Sequence, residues 1–254
     1  MSSPPPSAAP MSDRALPAGR PGPRVSVIVP ALDEAARLAR CLAPLRTAAH
    51  ECIVADGGSR DATVAVAARC GARVVRAERG RALQMNAAAA VASGEVLLFV
   101  HADTVLPPDA IASVAAAVRA GAGWGRFDVR IEPAGPLLRT VAALMNLRSR
   151  ASGVCTGDQG IFLTRALWSR IGGYRPIPLM EDIELTARLR RLARPAALRG
   201  PAVTSARRWR AHGTLRTIAL MWWCRLAYCV GVSPQRLHGW YYGRPAPPGR
   251  CAAR

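Results

Sequence analysis

Short apolar runs recur along the first hundred residues, and each is followed by a polar turn and then by apolar positions at helical spacing. Residues 25–30 form a β-branched run stopped by Pro30, with Leu38, Cys41, Leu42 and Leu45 repeating behind it at the period of a helix. Residues 51–55 read as a second buried strand, ending in Asp56-Gly57-Gly58-Ser59, with a helix over 62–70. A third strand is expected at 71–75, an Ala-rich helix at 83–92 and a fourth strand at 96–100. Strands alternating with helices at this spacing imply right-handed crossovers and a mostly parallel sheet, hence an α/β, Rossmann-like three-layer sandwich. Ligands of such sheets bind beyond the carboxyl ends of the strands. Asp33, Asp56 and Asp103 each follow a strand, so they are expected to gather along one edge.

The pattern changes further on. A helix is expected after Pro107-Pro108-Asp109, to about Arg119, residues 124–131 alternate like an antiparallel strand, 141–150 look helical, 161–163 form a short strand, and 184–192 an Arg-studded helix. Residues 215–232 are apolar and aromatic but are interrupted by Arg216 and Arg225. A spanning helix wants about 20 apolar residues, with charge costly at its centre. An amphipathic helix is expected instead, either closing over the core or lying at a lipid interface with Trp222, Trp223 and Leu226 buried. The Pro-, Ser- and Ala-rich start has neither a signal-peptide core nor a helix or strand period. The expected organisation is a disordered leader over 1–23, the α/β domain over 24–200, and a C-terminal amphipathic helical extension with its tail over 201–254.

Composition sharpens the choice of partner. The chain has 254 residues and a formal charge of +19, and all 35 basic residues are Arg. Such a field attracts phosphates, anionic lipid or nucleic acid. With only four Tyr and three Phe there are few stacking platforms, and the arginines are scattered, so no specific nucleic-acid partner is expected. The seven cysteines form no CxxC pair and are odd in number, which fits reduced, buried thiols in a cytoplasmic protein.

Four segments carry candidate chemistry. His101 and Asp103 lie two apart at a strand end, so their side chains face one way and suit a divalent cation, Mg2+ or Mn2+, against a diphosphate. An imidazole ligand tilts the choice toward Mn2+. Asp56 can accept from a base N–H such as uracil offers, and Gly57 lets backbone approach a ligand, although a plain turn explains the tetrapeptide as well. Arg79-Gly80-Arg81, with Asn86 further on, opens a helix with guanidinium groups at its positive end, a setting for pyrophosphate or simply a solvated basic loop. Asp182 in Met180-Glu181-Asp182 is placed to serve as a general base, worth about 10²–10⁴-fold, or as an ordinary acidic residue at a helix start.

The order of these pieces resembles family 2 glycosyltransferases with the GT-A fold, and among them the radical-SAM/selenodomain-associated transferase 2 subfamily. The matching segments are VSVIVPALDEAARL, IVADGGSRDAT, RGRALQMNAAAA, LLFVHADTVLPPD, WGRFDVR, GDQGIFLTR, GGYRPIPLMEDIELTARLRRL and SARRWRAHGTLRT. The resemblance implies an inverting glycosyltransferase using a nucleoside-diphosphate sugar, with Pro30 and Glu34 in the nucleotide-facing first loop and Asp56 at the base. It makes Asp103, with His101, the metal-binding DxD-like motif and Asp182 the catalytic base. Asp158 and Gln159 fall in a sugar or acceptor loop, Arg208 and Trp209 in an element contacting diphosphate or acceptor, and His212 near the metal. Asp33 stands where the family commonly has Asn, and His101 where many members have Asp. The acceptor is left open as a hydroxyl or carboxyl group, a lipid or carotenoid acid among the options, with peripheral association at the inner face of the cell membrane. A nucleotidyltransferase acting on a sugar phosphate is the competing enzyme, but no Gly-rich triphosphate loop stands near the start. A Rossmann dehydrogenase would need GxGxxG after the first strand, which is missing.

Overall fold

The computed structural model describes residues 22–243. The expected leader falls almost wholly outside the described residues, as does Cys251. The elements run β1 (Val25–Ala31), α1 (Ala35–Leu42), β2 (Glu51–Asp56), α2 (Thr63–Arg69), β3 (Arg73–Arg76), α3 (Arg81–Val91), β4 (Val96–Phe99), β5 (Thr104–Val105) and α4 (Ala110–Arg119). There follow β6 (Trp124–Glu132), α5 (Pro136–Ser152), a 3-10 turn (Gly157–Gln159), β7 (Ile161–Thr164), α6 (Arg165–Ile171), α7 (Glu181–Leu192), β8 (Ala196–Ser205), α8 (Arg207–His212), α9 (Thr214–Cys229) and α10 (Pro234–Tyr242).

One eight-stranded sheet, in the order β3-β2-β1-β4-β7-β6-β8-β5, carries the fold. The first four strands pair in parallel, β7 and β5 run against the rest, and β6 is antiparallel to β7 but parallel to β8. The expected antiparallel character of residues 124–131 therefore holds on one side only.

Alternation along the central strands decides the layers. Val27, Val29, Val54 and Leu98 pack to one face with Leu38 and Leu42 of α1 and Val114 of α4, while Ile28, Ile53, Leu97 and Phe99 pack to the other with Met85 of α3 and Leu185 and Leu189 of α7. Each such fully buried aliphatic side chain contributes about 1.5–3 kcal/mol. Pro30 sits in a central strand without cost, because β1 pairs with β4 only as far as Ile28 and Phe99 and Pro30 has no further β4 partner. Thus the sheet's carboxyl edge opens into space beside β4.

Several elements depart from the sequence pattern. β8 crosses residue 200, where the chain was expected to change character; its Arg199-Gly200-Pro201 interruption breaks the alternation that would mark a strand. α6 has no fully buried residue, and its apolar face, Leu167, Trp168 and Ile171 packed part-buried on the core, is too short to show a helical period. α7 begins at Glu181, three residues before the Arg-studded stretch, with Glu181, Asp182 and Glu184 in its first turn and Arg190 and Arg191 in its last, as the helix dipole favours. Its approach is fixed from outside. Arg188 pairs with Glu184 and donates to the Ile171 and Gly173 carbonyls, and Asn86 of α3 makes two hydrogen bonds with the Tyr174 backbone.

Candidate active site

The chain leaves β4 at Phe99 and turns sharply, with Thr104 N–H donating to the His101 carbonyl at 3.0 Å. This turn puts His101 and Asp103 at the open edge. The 3-10 turn brings Asp158 to meet them: His101 Nδ1 is 3.2 Å from Asp158 Oδ1, and one ligand atom from each of His101, Asp103 and Asp158 lies within 4.8 Å of the others. Burial works against a charged imidazole, yet the hydrogen bond to Asp158 together with the negative charges of Asp158 and Asp103 makes His101 more basic than usual. Burial, and next the facing charge of Asp158, raise the carboxyl pKa of Asp103. Two carboxylates facing one another beside an imidazole fit a hard divalent cation such as Mn2+ or Mg2+, whose charge would relieve that repulsion. Gly157 is required here, since a Cβ on it would stand 2.3 Å from His101 Nε2.

Opposite this cluster lies the start of α7. Met180, in the left-handed region at φ 70°, turns the chain so that Glu181 and Asp182 enter the cleft. Strained backbone of this kind persists where its surroundings fix it. Asp182 Oδ2 accepts from the Gly157 N–H at 2.7 Å and Oδ1 from the Ile183 N–H at 2.7 Å. The acidic helix start is thereby fastened to the turn that carries Asp158. Glu181, buried, has its carboxyl pushed up to about 7 by burial and then by the neighbouring Asp182, against the opposing pull of Arg81. Arg81 Nη1 reaches to 3.9 Å from Glu181 Oε1.

A cleft of about 800 Å³ joins these groups. Of the residues marked by the sequence, Pro30, Glu34, Arg81, His101, Asp103, Asp158, Asp182 and Trp209 line it. Asp33 also lines it and adopts φ 55°, a conformation Asn and Asp tolerate best. Four expected ligands lie off its wall, with physical reasons. Asp56 is 3% exposed and accepts from the Gly58 and Ser59 N–H groups of its own turn. Gly57 leaves room for Gln84, whose amide nitrogen would be 3.0 Å from a Cβ there. Asn86 is committed to Tyr174, and Gln159 donates to the Phe127 carbonyl and the Ser149 hydroxyl inside the fold. Arg208 and His212 lie on α8, but their side chains fall outside the described residues.

The sequence pattern gave no role to Gln84, Tyr241 or Tyr242, which also line the cleft, and placed Arg207 in one element with Arg208 and Trp209. Gln84 donates to the Ala31 and Ala55 carbonyls, tying the ends of β1 and β2 together; its place one turn after Arg81 is the signal that would have found it. Arg207 reaches back to Glu34 at 3.2 Å across 173 residues. Tyr241 and Tyr242 of α10 complete the wall.

Residues 26–147 match the family model of glycosyl transferase family 2. The match runs from β1 into α5 and includes the His101–Asp103 turn. Among solved structures, a mannosyltransferase of Pyrobaculum calidifontis in complex with GDP-Man and Mn2+ is similar with a TM-score of 0.55 and 24% identity, covering 76% of this chain and 59% of that one. Glucosyl-3-phosphoglycerate synthase of Mycobacterium tuberculosis, in complex with Mn2+, UDP and glucosyl-3-phosphoglycerate, is similar with a TM-score of 0.57 and 22% identity, covering 72% of this chain and 71% of that one. These likenesses establish the GT-A fold. A TPR repeat-containing protein of Synechococcus elongatus is 38% identical over 85 residues, which are 33% of this chain and 21% of that protein, so the chain spans about a fifth of this relative's length.

Proposed function

We propose that this chain is an inverting glycosyltransferase that moves a sugar from a nucleoside-diphosphate sugar to an acceptor oxygen. The observation that carries this reading is one cleft in which the His101, Asp103 and Asp158 cluster faces Arg81 at the start of α3 and Asp182 at the start of α7. His101, Asp103 and Asp158 would hold a divalent cation, which when bound supplies charge neutralisation at the departing diphosphate. Arg81 adds a guanidinium from the positive end of α3. Asp182 takes the proton of an acceptor hydroxyl as its oxygen bonds to the anomeric carbon. The carbon–oxygen bond to the diphosphate breaks on the opposite face, the electron pair leaves with the nucleoside diphosphate, and the configuration inverts. No side chain is glycosylated on the way.

The finer reading is a UDP-sugar donor, which the order of the motifs supports; Asp56 itself is turned into its own loop and shapes the strand end rather than the cleft wall. The motif order supports the radical-SAM/selenodomain-associated transferase 2 subfamily. No helix among the described residues is long and apolar enough to cross a membrane. Exposed Trp222, Trp223 and Leu226 on α9, with the chain's Arg excess, support peripheral association with an anionic lipid surface.

The experiment is release of nucleoside diphosphate from UDP- and GDP-sugars with Mn2+, with Mg2+, and with chelator. Cation-dependent release from a UDP-sugar, as transfer or slow hydrolysis, is expected. Absence of both binding and turnover across the donor panel with either cation overturns the reading.

A further inference from the structure

A second cavity of about 180 Å³ lies between α5 and α9. Its walls are Leu137, Val141 and Leu144 of α5 and Ile218 and Trp222 of α9, with Arg148 at one side. It is continuous with the main cleft, because Met145, Trp209, Met221 and Arg225 line both. Its outer part joins an exposed apolar surface: Leu144 is 55% exposed and Trp222 61%. An open apolar groove running into a polar cleft is the shape that takes a hydrocarbon chain.

Arg148 supplies the second, independent feature. Its Nε and Nη2 are buried without a hydrogen-bond partner among the described residues. Burial depresses its basicity, and the charge of Asp182 acts against that, so the guanidinium feels the proposed base. Buried arginine nitrogens are normally paired, and an unpaired pair of donors beside an apolar channel matches an anionic group on whatever fills the channel.

We infer that this groove is the acceptor subsite and that it takes an amphiphile with a hydrocarbon tail and an anionic head, carboxylate or phosphate. The tail lies between α5 and α9 over Trp222, the anionic head meets Arg148, and a hydroxyl group of the acceptor separate from that head is carried toward Asp182, which takes its proton. The inference rests on the glycosyltransferase reading for the word acceptor, while the binding site itself does not.

The test is binding of three probes of equal chain length, hexadecanoate, hexadecyl phosphate and hexadecanol, below their critical micelle concentrations, followed by quenching of tryptophan fluorescence and by equilibrium dialysis. Expected is one saturable site that prefers the anionic probes over the alcohol by about tenfold or more. The two anionic probes separate a carboxylate head from a phosphate head. Arg148→Met should abolish that preference without lowering the melting temperature, since no hydrogen bond is lost, a result that a structural role for Arg148 would not give. Leu144→Asp, at an exposed position, should weaken all three probes. Equal binding of alcohol and acid, no saturable binding, or a change of oligomeric state with Leu144→Asp while probe binding persists would overturn the proposal. Thermal shift with UDP-sugars and Mn2+ on the same samples keeps the two readings apart: amphiphile binding without donor binding sinks the glycosyltransferase, and donor binding without amphiphile binding sinks the subsite.

Discussion

Asp182→Asn tests the chemistry and the architecture at once. The carboxylate spends one oxygen on the Gly157 N–H and the other on the Ile183 N–H, both at 2.7 Å. An amide offers one accepting oxygen and one donating nitrogen, so in either orientation one backbone N–H meets a second donor. Leaving a buried donor unsatisfied costs about 1–3 kcal/mol. A domain of this size loses about 2–4 °C of melting temperature per kcal/mol, so a fall of several degrees is expected. Catalysis should suffer far more, because losing a general base removes about 10²–10⁴-fold in rate. In energy terms that is about 3–5 kcal/mol of the barrier, beyond what a modest loosening of a folded protein explains. The assay is nucleoside diphosphate release under saturating donor, acceptor and Mn2+, where weakened binding does not enter, with circular dichroism to confirm the folded state. A folded variant that turns over within tenfold of the parent chain refutes the assignment of Asp182 as base.

Gly157→Ala would press a methyl group into the His101 ring, and Mn2+ affinity by calorimetry should fall by about 10–100-fold, the usual cost of disturbing a ligand's support. Glu181 holds its proton up to about 7 in the folded chain against an ordinary value of 4.5, so stability should decline as pH rises through that interval; Glu181→Gln should flatten melting curves compared between pH 5 and 8. Asn86→Ala removes two hydrogen bonds to Tyr174 and should cost about 1–3 kcal/mol in chemical denaturation while leaving the donor KM within about twofold. Replacing both Trp222 and Trp223 by Ala should lower co-sedimentation with anionic vesicles several-fold, and an unchanged bound fraction would remove α9 from the lipid contact.

What could be read from the chain was local. The βαβ alternation, the placement of His101 and Asp103 past a buried strand, and the acidic start of α7 all follow from short periodicities and strand-end logic, and the structure has each of them. Docking between distant pieces was not legible. Asp158 read as part of an acceptor loop, yet it stands with the metal pair because Asp182 anchors the neighbouring Gly157 across 25 residues and Gly157 has no side chain to hold His101 away. Asn86 read as a ligand because it shares a motif with Arg81, but α3 turns the two to different sides: Arg81 enters the cleft and Asn86 binds the loop before α7. That division has a mechanical consequence. Arg188 and Asn86 together hold the loop from Ile171 to Tyr174, and that loop sets where Met180 turns the chain into α7. The positions of the proposed base and of the cation cluster are therefore fixed by one connected set of hydrogen bonds, reaching from α3 through Tyr174 and α7 to Gly157. Loosening it at Asn86 should cost stability, and cutting it at Asp182 should cost turnover.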